Sequence, residues 1–166
     1  MPETGDPERQ ARGHEAPEPR LQAFRCGLLN PLRLPDDRSE GTVCDAVFRH
    51  QLQQPLADAP HPPRHYVAWH GRDPDDACLG RLRALVSGVQ PLSQCRVTAR
   101  QGVVDRTTGA RGVIVQVARI ASIHAAAVDV VGGYYISHRH AAGFRYRVEH
   151  DGQRWAVTTA VLLWRA

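Results

Sequence analysis

The sequence predicts an α+β domain in which two N-terminal helices pack on a bent antiparallel sheet. Apolar residues recur at helical spacing in two segments of the first half of the chain. Beyond Gln94 the pattern changes to the alternation of apolar and polar residues that is typical of strands. The dipeptide Asp151-Gly152 separates two such segments and indicates a tight β-hairpin. Helices followed by hairpin-linked strands form α+β domains.

The domain is expected to span residues 39–166, behind a disordered tail and linker at residues 1–38. The tail is rich in Pro, Glu and Arg, so it cannot bury enough apolar surface to offset the entropy of ordering. It lacks the apolar region of a secretory signal, and no later segment is as long and apolar as a membrane span. We therefore expect a cytoplasmic location and no membrane partner, although a wrongly assigned start could hide a signal.

The first helix is predicted over residues 39–52. Its apolar residues lie three or four positions apart and would form one buried face, which contains Val43, Cys44, Val47, Phe48 and Leu52. Asp45 and Arg49 lie one turn apart and would form an ion pair on the opposite face. Prolines within residues 55–63 require a loop, and a short strand follows at residues 65–69.

The second helix has the clearest start signal in the chain. Asp73 is the expected N-cap and Pro74 the expected first helical residue. The next two residues are both Asp and place negative charge near the positive end of the helix. Gly88 is expected to end the helix in a left-handed conformation. The buried stripe would contain Cys78, Leu79, Leu82, Leu85 and Val86.

Three further strands are predicted, at residues 95–104, 112–120 and 125–136. The first two flank a turn in which Gly109 supplies a positive φ and Asp105 binds the backbone of the turn itself. Gly132 and Gly133 interrupt the third strand, which predicts a β-bulge or a sharp bend there.

The final hairpin is predicted together with its register. A two-residue type I′ turn at Asp151-Gly152 would place three pairs on the inner face, namely Val148 with Trp155, Tyr146 with Val157 and Phe144 with Thr159. Trp155 and Trp164 are both expected in the core. On the solvent face Glu149 would lie opposite Arg154, beside Arg145 and Arg147.

The distribution of charge argues against a nucleic-acid partner. All 21 basic residues are Arg, and the net charge is +4. Residues 41–166 carry 15 Arg against 9 acidic residues, so the domain is only modestly basic. Its arginine stripe at positions 139, 145, 147 and 154 has no exposed aromatic residues between its members on which bases could stack.

Neither the cysteines nor the histidines predict a metal site or a cofactor. We expect reduced and structural thiols, because Cys26, Cys44, Cys78 and Cys95 have no metal-ligand spacing. His138 and His140 could share a strand face and chelate a metal. A third ligand would be needed, and His50, His70 and His124 have no spacing that supports this role.

Several turn and aromatic signals resemble a widespread, largely uncharacterised group of small bacterial proteins. The resemblance covers residues 41–166. It rests on Asp-Pro-Asp-Asp before the leucine-rich helix, the DRTTGARG turn, GGYY at residues 132–135, and the tail with Gly152, Trp155 and Trp164. That group implies no catalytic motif for this chain.

The order of the elements also resembles the cystatin-like cone of the nuclear transport factor two-like superfamily. The similarity is one of architecture. It implies helices that cover a curved sheet around a cavity. The superfamily includes binding modules, enzymes and subunits without catalysis, so it leaves function open.

Five residues are candidates for a pocket between the sheet and the helices. His50 lies at the edge of the apolar face of the first helix, and a histidine at the mouth of a cone could act as a general base. Tyr66, Tyr134 and Tyr146 could share the cavity with it. Asp129 is a candidate carboxylate partner for His50.

Three functions remain open from the sequence. The preferred one is a non-enzymatic domain that binds a small ligand or a partner in an apolar pocket. The second is a small hydrolase or isomerase that uses His50 or Asp129, and a His/Asp pair at the pocket floor would favour it. The third is a protein-binding accessory subunit, in the form of a homodimer through the outer sheet face, and a filled core without a pocket would favour it.

Overall fold

The computed structural model describes residues 37–56, 64–124 and 126–166, with side chains of the first helix described from Gly41 onward. The predicted tail lies outside the described residues. The described elements are α1 (Asp37–Gln53), β1 (His65–Trp69), α2 (Asp76–Leu85), β2 (Val89–Pro91), a 3₁₀ turn (Leu92–Gln94), β3 (Cys95–Thr98), β4 (Gly102–Asp105), β5 (Val113–Ile123), β6 (Ala127–Ser137), β7 (His140–His150) and β8 (Trp155–Arg165).

Six strands form one mixed sheet in the order β2-β1-β5-β6-β7-β8. The α+β class is confirmed, but the sheet is not purely antiparallel, because β1 is parallel to both β2 and β5. The four long strands from β5 to β8 are antiparallel, as predicted. β2 was not predicted, because it has only three residues and shows no alternation.

Both helices cover the same face of the sheet, and this inner face holds the main core. α1 contributes Val43, Val47 and Phe48, which are fully buried against Val115, Val117 and Val130 of the sheet. The β3–β4 hairpin packs on the opposite face, where it buries Tyr66 and Ile114 with Val103. Among the described helices none is long and apolar enough to cross a membrane.

The polar contacts of the helices differ from those predicted. Asp45 is buried and binds Arg81 of α2 instead of Arg49, and it also accepts a hydrogen bond from the Cys78 thiol over 3.3 Å. The N-cap of α2 is Asp75, whose carboxylate accepts from the Cys78 amide. The Asp73 carboxylate instead accepts a hydrogen bond from the backbone amide of Ser93, in the 3₁₀ turn that follows β2. Sequence spacing cannot separate two aspartates that both precede a helix.

The segment predicted as one strand at residues 95–104 is a hairpin of two short strands, β3 and β4. The chain reverses between them, where Gly102 has a φ of 72°. The following turn behaves as predicted, because Gly109 has a φ of 70° and the Asp105 carboxylate accepts from the Thr107 and Thr108 amides. The turn leads from β4 to β5, but the two strands do not pair with each other. A single bridge joins Val104 of β4 to Arg111, which lies just before β5.

Of the two features predicted at the glycines of β6, a β-bulge or a sharp bend, the bulge is absent. Gly132 and Gly133 pair in regular register with Val117 and Gln116. The extra residues are on β5 instead, one between Val117 and Arg119 and another between Ile120 and Ser122. The glycines are needed for close approach, since a Cβ on Gly132 would lie 2.4 Å from the Gln116 carbonyl oxygen.

The predicted register of the β7–β8 hairpin is wrong by two residues near its turn. Val148 lies opposite Val157, because residues 151–154 form a four-residue loop that the Asp151 carboxylate stabilises by accepting from two backbone amides. A shift of two residues leaves Trp155 on the inner face, where it packs on the core.

Three further details of this hairpin also differ from prediction. An extra residue on β8 between Val157 and Thr159 turns Thr159 to the outer face, opposite Arg147. Glu149 binds Arg147 over 2.9 Å instead of Arg154. Trp164 is 37% exposed and lies over Gly143 instead of entering the core.

The three described cysteines are buried and form no disulfide bond, in agreement with their predicted structural role. Burial raises the pKa of the Cys78 thiol and of the Cys95 thiol to about 12. Both thiols are therefore protonated and unreactive at pH 8.

In a Cys26→Ser variant we expect a thiol reagent to label no cysteine rapidly in the folded protein at pH 8, and to label three after denaturation. Rapid labelling of a thiol in the folded protein would contradict this packing.

Candidate functional site

A cavity of about 330 Å³ lies between the end of α1 and the inner face of the long strands. Its deep part is lined by the buried residues Gln51, Val115, Ile136 and Tyr146. Its mouth is lined by exposed residues, among them Gln54, His140 and Arg165. The mixture of an apolar interior with a few polar groups is typical of small-molecule sites.

The floor of the cavity is organised by the amide side chain of Gln51, which is only 6% exposed. Its Nε2 donates to the backbone oxygens of Gln116 and Gly133, over 3.1 Å and 3.3 Å, and approaches the hydroxyl of Tyr146 at 3.2 Å. The two carbonyl oxygens can only accept, which fixes the orientation of the amide. Its Oε1 is buried without a hydrogen-bond partner among the described residues.

Gly132 makes room for this amide. A Cβ at position 132 would lie 3.1 Å from Gln51 Nε2, in addition to its collision with the Gln116 carbonyl oxygen. A side chain here would push α1 away from the sheet or displace the amide. The absence of a side chain at Gly132 therefore allows the Gln51 amide to reach the sheet.

Aromatic rings form one wall of the cavity. Phe144 lies between Tyr134 and Tyr146, with ring centroids 6.4 Å and 5.8 Å apart respectively. The His50 ring meets Tyr146 edge-on at 5.7 Å. Burial lowers the pKa of His50 and raises the pKa of Tyr146 to about 12, so both rings are neutral at neutral pH.

Basic residues lie at the mouth of the cavity, and no described Asp or Glu lines it. Arg165 is exposed at the end of β8 and makes no ion pair with another described residue. His140 lies beside it at the start of β7. The cavity therefore offers a positive group at its entrance and neutral groups inside.

Three of the five predicted pocket residues lie in this cavity, namely His50, Tyr134 and Tyr146. Tyr66 does not line it, because its ring lies on the opposite face of the sheet and its hydroxyl donates to Asp105 over 2.9 Å. Arg64 binds the same carboxylate over 3.2 Å. Backbone amides of the turn and the Tyr66 hydroxyl hold the pKa of Asp105 well below its usual range.

Asp129 also lies away from the cavity and is not a partner of His50. It faces the outer side of the sheet, where Ser122 Oγ donates to it over 2.8 Å and Arg147 approaches within 3.6 Å. His124 Nε2 lies 3.2 Å from the same Ser122 hydroxyl. In a catalytic triad histidine bridges serine and aspartate, whereas here the serine proton is directed at the carboxylate.

Neither Gln51 nor Arg165 was predicted to line the pocket. Gln51 lies four residues after Val47 and three after Phe48, so it falls inside the apolar stripe of α1. A polar residue within such a stripe is a detectable signal, because burying it requires partners. Arg165 could not be placed, because the extra residues in β8 change which of its residues face inward.

The described residues include no group of three or more His, Cys, Asp or Glu side chains that could hold a metal ion. No family model, curated protein or solved structure matches the chain.

The close approach of Gly132 and Gln51 is tested by substitution. We expect Gly132→Ala to lower the free energy of unfolding by about 1–3 kcal/mol, since backbone or side chains must shift to admit the methyl group. Gly80→Ala is the control, because a Cβ there meets nothing within 4 Å. It should be neutral or stabilise α2 by up to about 1 kcal/mol. Equal effects of the two substitutions in denaturant melts would contradict the role of Gly132.

The low pKa of Asp105 predicts how the free energy of unfolding depends on pH in acid solution. Because the folded state favours the ionised carboxylate, the stabilisation is present above the pKa of the unfolded chain, near 4, and is lost as pH falls below it. The free energy of unfolding of wild type should therefore fall more steeply than that of Asp105→Asn between about pH 4 and pH 2. Parallel curves for the two proteins in that range would show that the turn does not depend on the charge.

Proposed function

We propose that this domain binds a small, largely apolar ligand in the cavity between α1 and the sheet, without catalysing a reaction. The observation that carries the proposal is the apolar and aromatic lining of this cavity, which includes Val115, Ile136 and Phe144. An apolar ligand that enters this space removes its own surface from water, which favours binding.

The size and lining of the cavity support the same function. A volume of about 330 Å³ matches small-molecule sites, and the open mouth at His140 and Arg165 provides a path for entry. The arrangement of helices over a sheet with a cavity between them supports the resemblance to the cystatin-like cone. A bacterial source and a cytoplasmic location remain predictions from the sequence.

The enzymatic alternative lacks its central requirement in the described part of the chain. It calls for a His/Asp pair at the pocket floor. His50 lines the cavity, but Asp129 lies on the other face of the sheet. With no described carboxylate in the lining, His50 has no acidic group to orient it or to stabilise its charged form.

The partner-binding alternative is favoured by one observation, the exposed apolar end of the edge strand β8. Val161 and Leu163 are 52% and 44% exposed, and Leu162 and Trp164 are also exposed. An apolar edge strand is a surface on which another strand can pair. The cavity and this edge both include residues of β8, but they use different residues of that strand. Ligand binding in the cavity and pairing at the edge are therefore compatible.

Ligand binding is tested with N-phenyl-1-naphthylamine, a neutral apolar dye that fluoresces when it leaves water. We expect saturable, one-to-one fluorescence enhancement with the wild-type protein. Ala160→Trp should abolish it, because Ala160 lines the cavity and the indole would fill the space. Thr159→Trp is the matched control, since Thr159 lies opposite Arg147 on the outer face.

The control variant should bind the dye as wild type does. If both tryptophan variants bind the dye equally, or if no saturable binding occurs in any protein, the cavity is not a ligand site. Circular dichroism and melting curves establish that each variant is folded.

A further inference from the structure

The two edges of the six-stranded sheet differ in length and in chemistry. At one edge, β2 has three residues and ends at Pro91. At the other edge, β8 has 11 residues and no charged residue before Arg165. Proteins protect open edges by short strands, by proline and by charged side chains. The β2 edge is short and contains a proline, whereas β8 is long and almost uncharged, as a strand that pairs on both sides is.

The second half of β8 is also exposed. Val161, Leu162 and Leu163 are 52%, 51% and 44% exposed. No described strand pairs with β8 on the side away from β7. Apolar side chains in water together with unpaired backbone groups favour the addition of another strand along this edge.

The positions along β8 that face inward and outward are arranged almost symmetrically about Ala160. Its pairing with β7 fixes the face of each residue, apart from the two extra residues Thr158 and Leu163. The inner residues are Trp155, Val157, Ala160, Leu162 and Arg165, and the outer residues are Ala156, Thr159, Val161 and Trp164.

This symmetry makes β8 complementary to itself. Residues directly opposite each other in an antiparallel pair point to the same face. If a second copy is related by a two-fold axis at Ala160, inner positions lie opposite inner ones and outer positions opposite outer ones. The two extra residues lie opposite Leu162 and Val157. An axis at Thr159 or Leu162 would instead oppose inner and outer positions. An axis at Val161 matches the faces but pairs only residues 157–165.

The distribution of charge also fits a second copy. Two copies of a basic domain repel each other, but Arg165 is the one charged residue of β8. Antiparallel pairing places the two Arg165 side chains at opposite ends of the interface. Each then lies opposite Trp155 of the other copy, and a cation over an indole ring is favourable. The loop just before this Trp155 contains Asp151, whose side chain is 55% exposed.

We propose that β8 pairs in antiparallel fashion with β8 of a second copy of this chain, about a two-fold axis at Ala160. The two sheets then form one continuous sheet with the helices of both copies on the same face. Such an interface is closed, because each copy contributes the same edge. The inference goes beyond the proposed function and does not depend on a ligand in the cavity.

The first test is sedimentation equilibrium of the full chain with a reducing agent, which excludes a disulfide through Cys26. We expect wild type to exchange between monomer and dimer, with a dissociation constant of about 1–100 µM, since one strand from each copy is a small interface. Val161→Lys should raise this constant at least about 10-fold, because a lysine on an edge strand opposes pairing. Gln90→Lys is the control, since it places the same charge on β2 at the other edge, and it should leave the constant unchanged.

A second substitution tests the position of the axis. With the axis at Ala160, residue 159 of each copy lies opposite residue 161 of the other. Adding Thr159→Glu to Val161→Lys therefore creates two pairs of opposite charge across the interface. The double variant should dimerise about 3-fold or more tightly than Val161→Lys alone. With the axis at Val161 the two lysines would face each other, and the added glutamates would not restore the dimer.

Hydrogen exchange distinguishes strand pairing from contact between side chains alone. Backbone amides of β8 should exchange more slowly in wild type as the protein concentration rises, because pairing protects those that point away from β7. Val161→Lys should show no such dependence over the same concentrations.

Four results would overturn the inference or part of it. A wild type that stays monomeric at the highest concentration would exclude a second copy as the partner, even if no variant folds. A dimer that is insensitive to Val161→Lys would use another surface, and a dimer without protection of β8 would not form by strand pairing. Failure of Thr159→Glu to restore dimerisation would refute the axis at Ala160. Binding of the dye in the cavity is measured separately, so the loss of the dimer leaves the proposed function standing.

Discussion

The contact on which the site depends is a single buried amide, that of Gln51, wedged between α1 and three strands. It binds backbone oxygens of β5 and β6 and the hydroxyl of Tyr146 on β7. A buried amide is costly unless it is satisfied, so these bonds favour one position of α1 over the sheet. The cavity is the space that this position leaves between the last turn of the helix and the strands.

Close approaches of the backbone explain the two glycines in the middle of β6, and the Gln51 contact is one of them. Gly132 permits Gln51 and the Gln116 carbonyl to approach, and Gly133 permits β7 to approach, since a Cβ there would lie 2.1 Å from the Ala142 carbonyl oxygen. The glycines do not bend the strand through a bulge. They allow three strands and a helix to meet closely at one point, and the cavity begins beside it.

The polarity of the cavity follows from where its residues lie along the elements. Positions at the centre of the strands are buried and apolar or aromatic, as their alternation requires. His140, at the start of β7, and Arg165, at the end of β8, lie at the mouth of the cavity. This arrangement places neutral groups at the floor of the cavity and positive charge at its entrance.

The sequence predicts the elements better than the contacts between them. Apolar periodicity correctly identified α1 and β1 and the inward direction of Tyr146 and Val148. It could not provide the register of β8. The four-residue loop and the extra residue Thr158 each shift the pairing of the strands, and neither shift alters the apolar pattern from which the strands are predicted. Likewise, two adjacent aspartates made the start of α2 ambiguous.

The candidate site was predictable to a similar extent. His50, Tyr134 and Tyr146 were identified because aromatic and titratable residues on inward positions indicate a pocket. Asp129 was misplaced, because a residue on a central strand faces one side or the other depending on a shift of one position. Gln51 was missed, because its importance comes from long-range contacts with residues at positions 116, 133 and 146.

The most direct test of this account is the hydrogen exchange of the Gln51 side-chain amide, followed by NMR in the ligand-free protein. Gln54, exposed three residues further along, serves as the internal reference. The account predicts that the Nε2 protons of Gln51 exchange far more slowly than those of Gln54, because they are buried and bonded to the sheet. Exchange of both amides at the same rate would show that Gln51 does not hold α1 on the sheet, and would contradict the structure of the cavity floor.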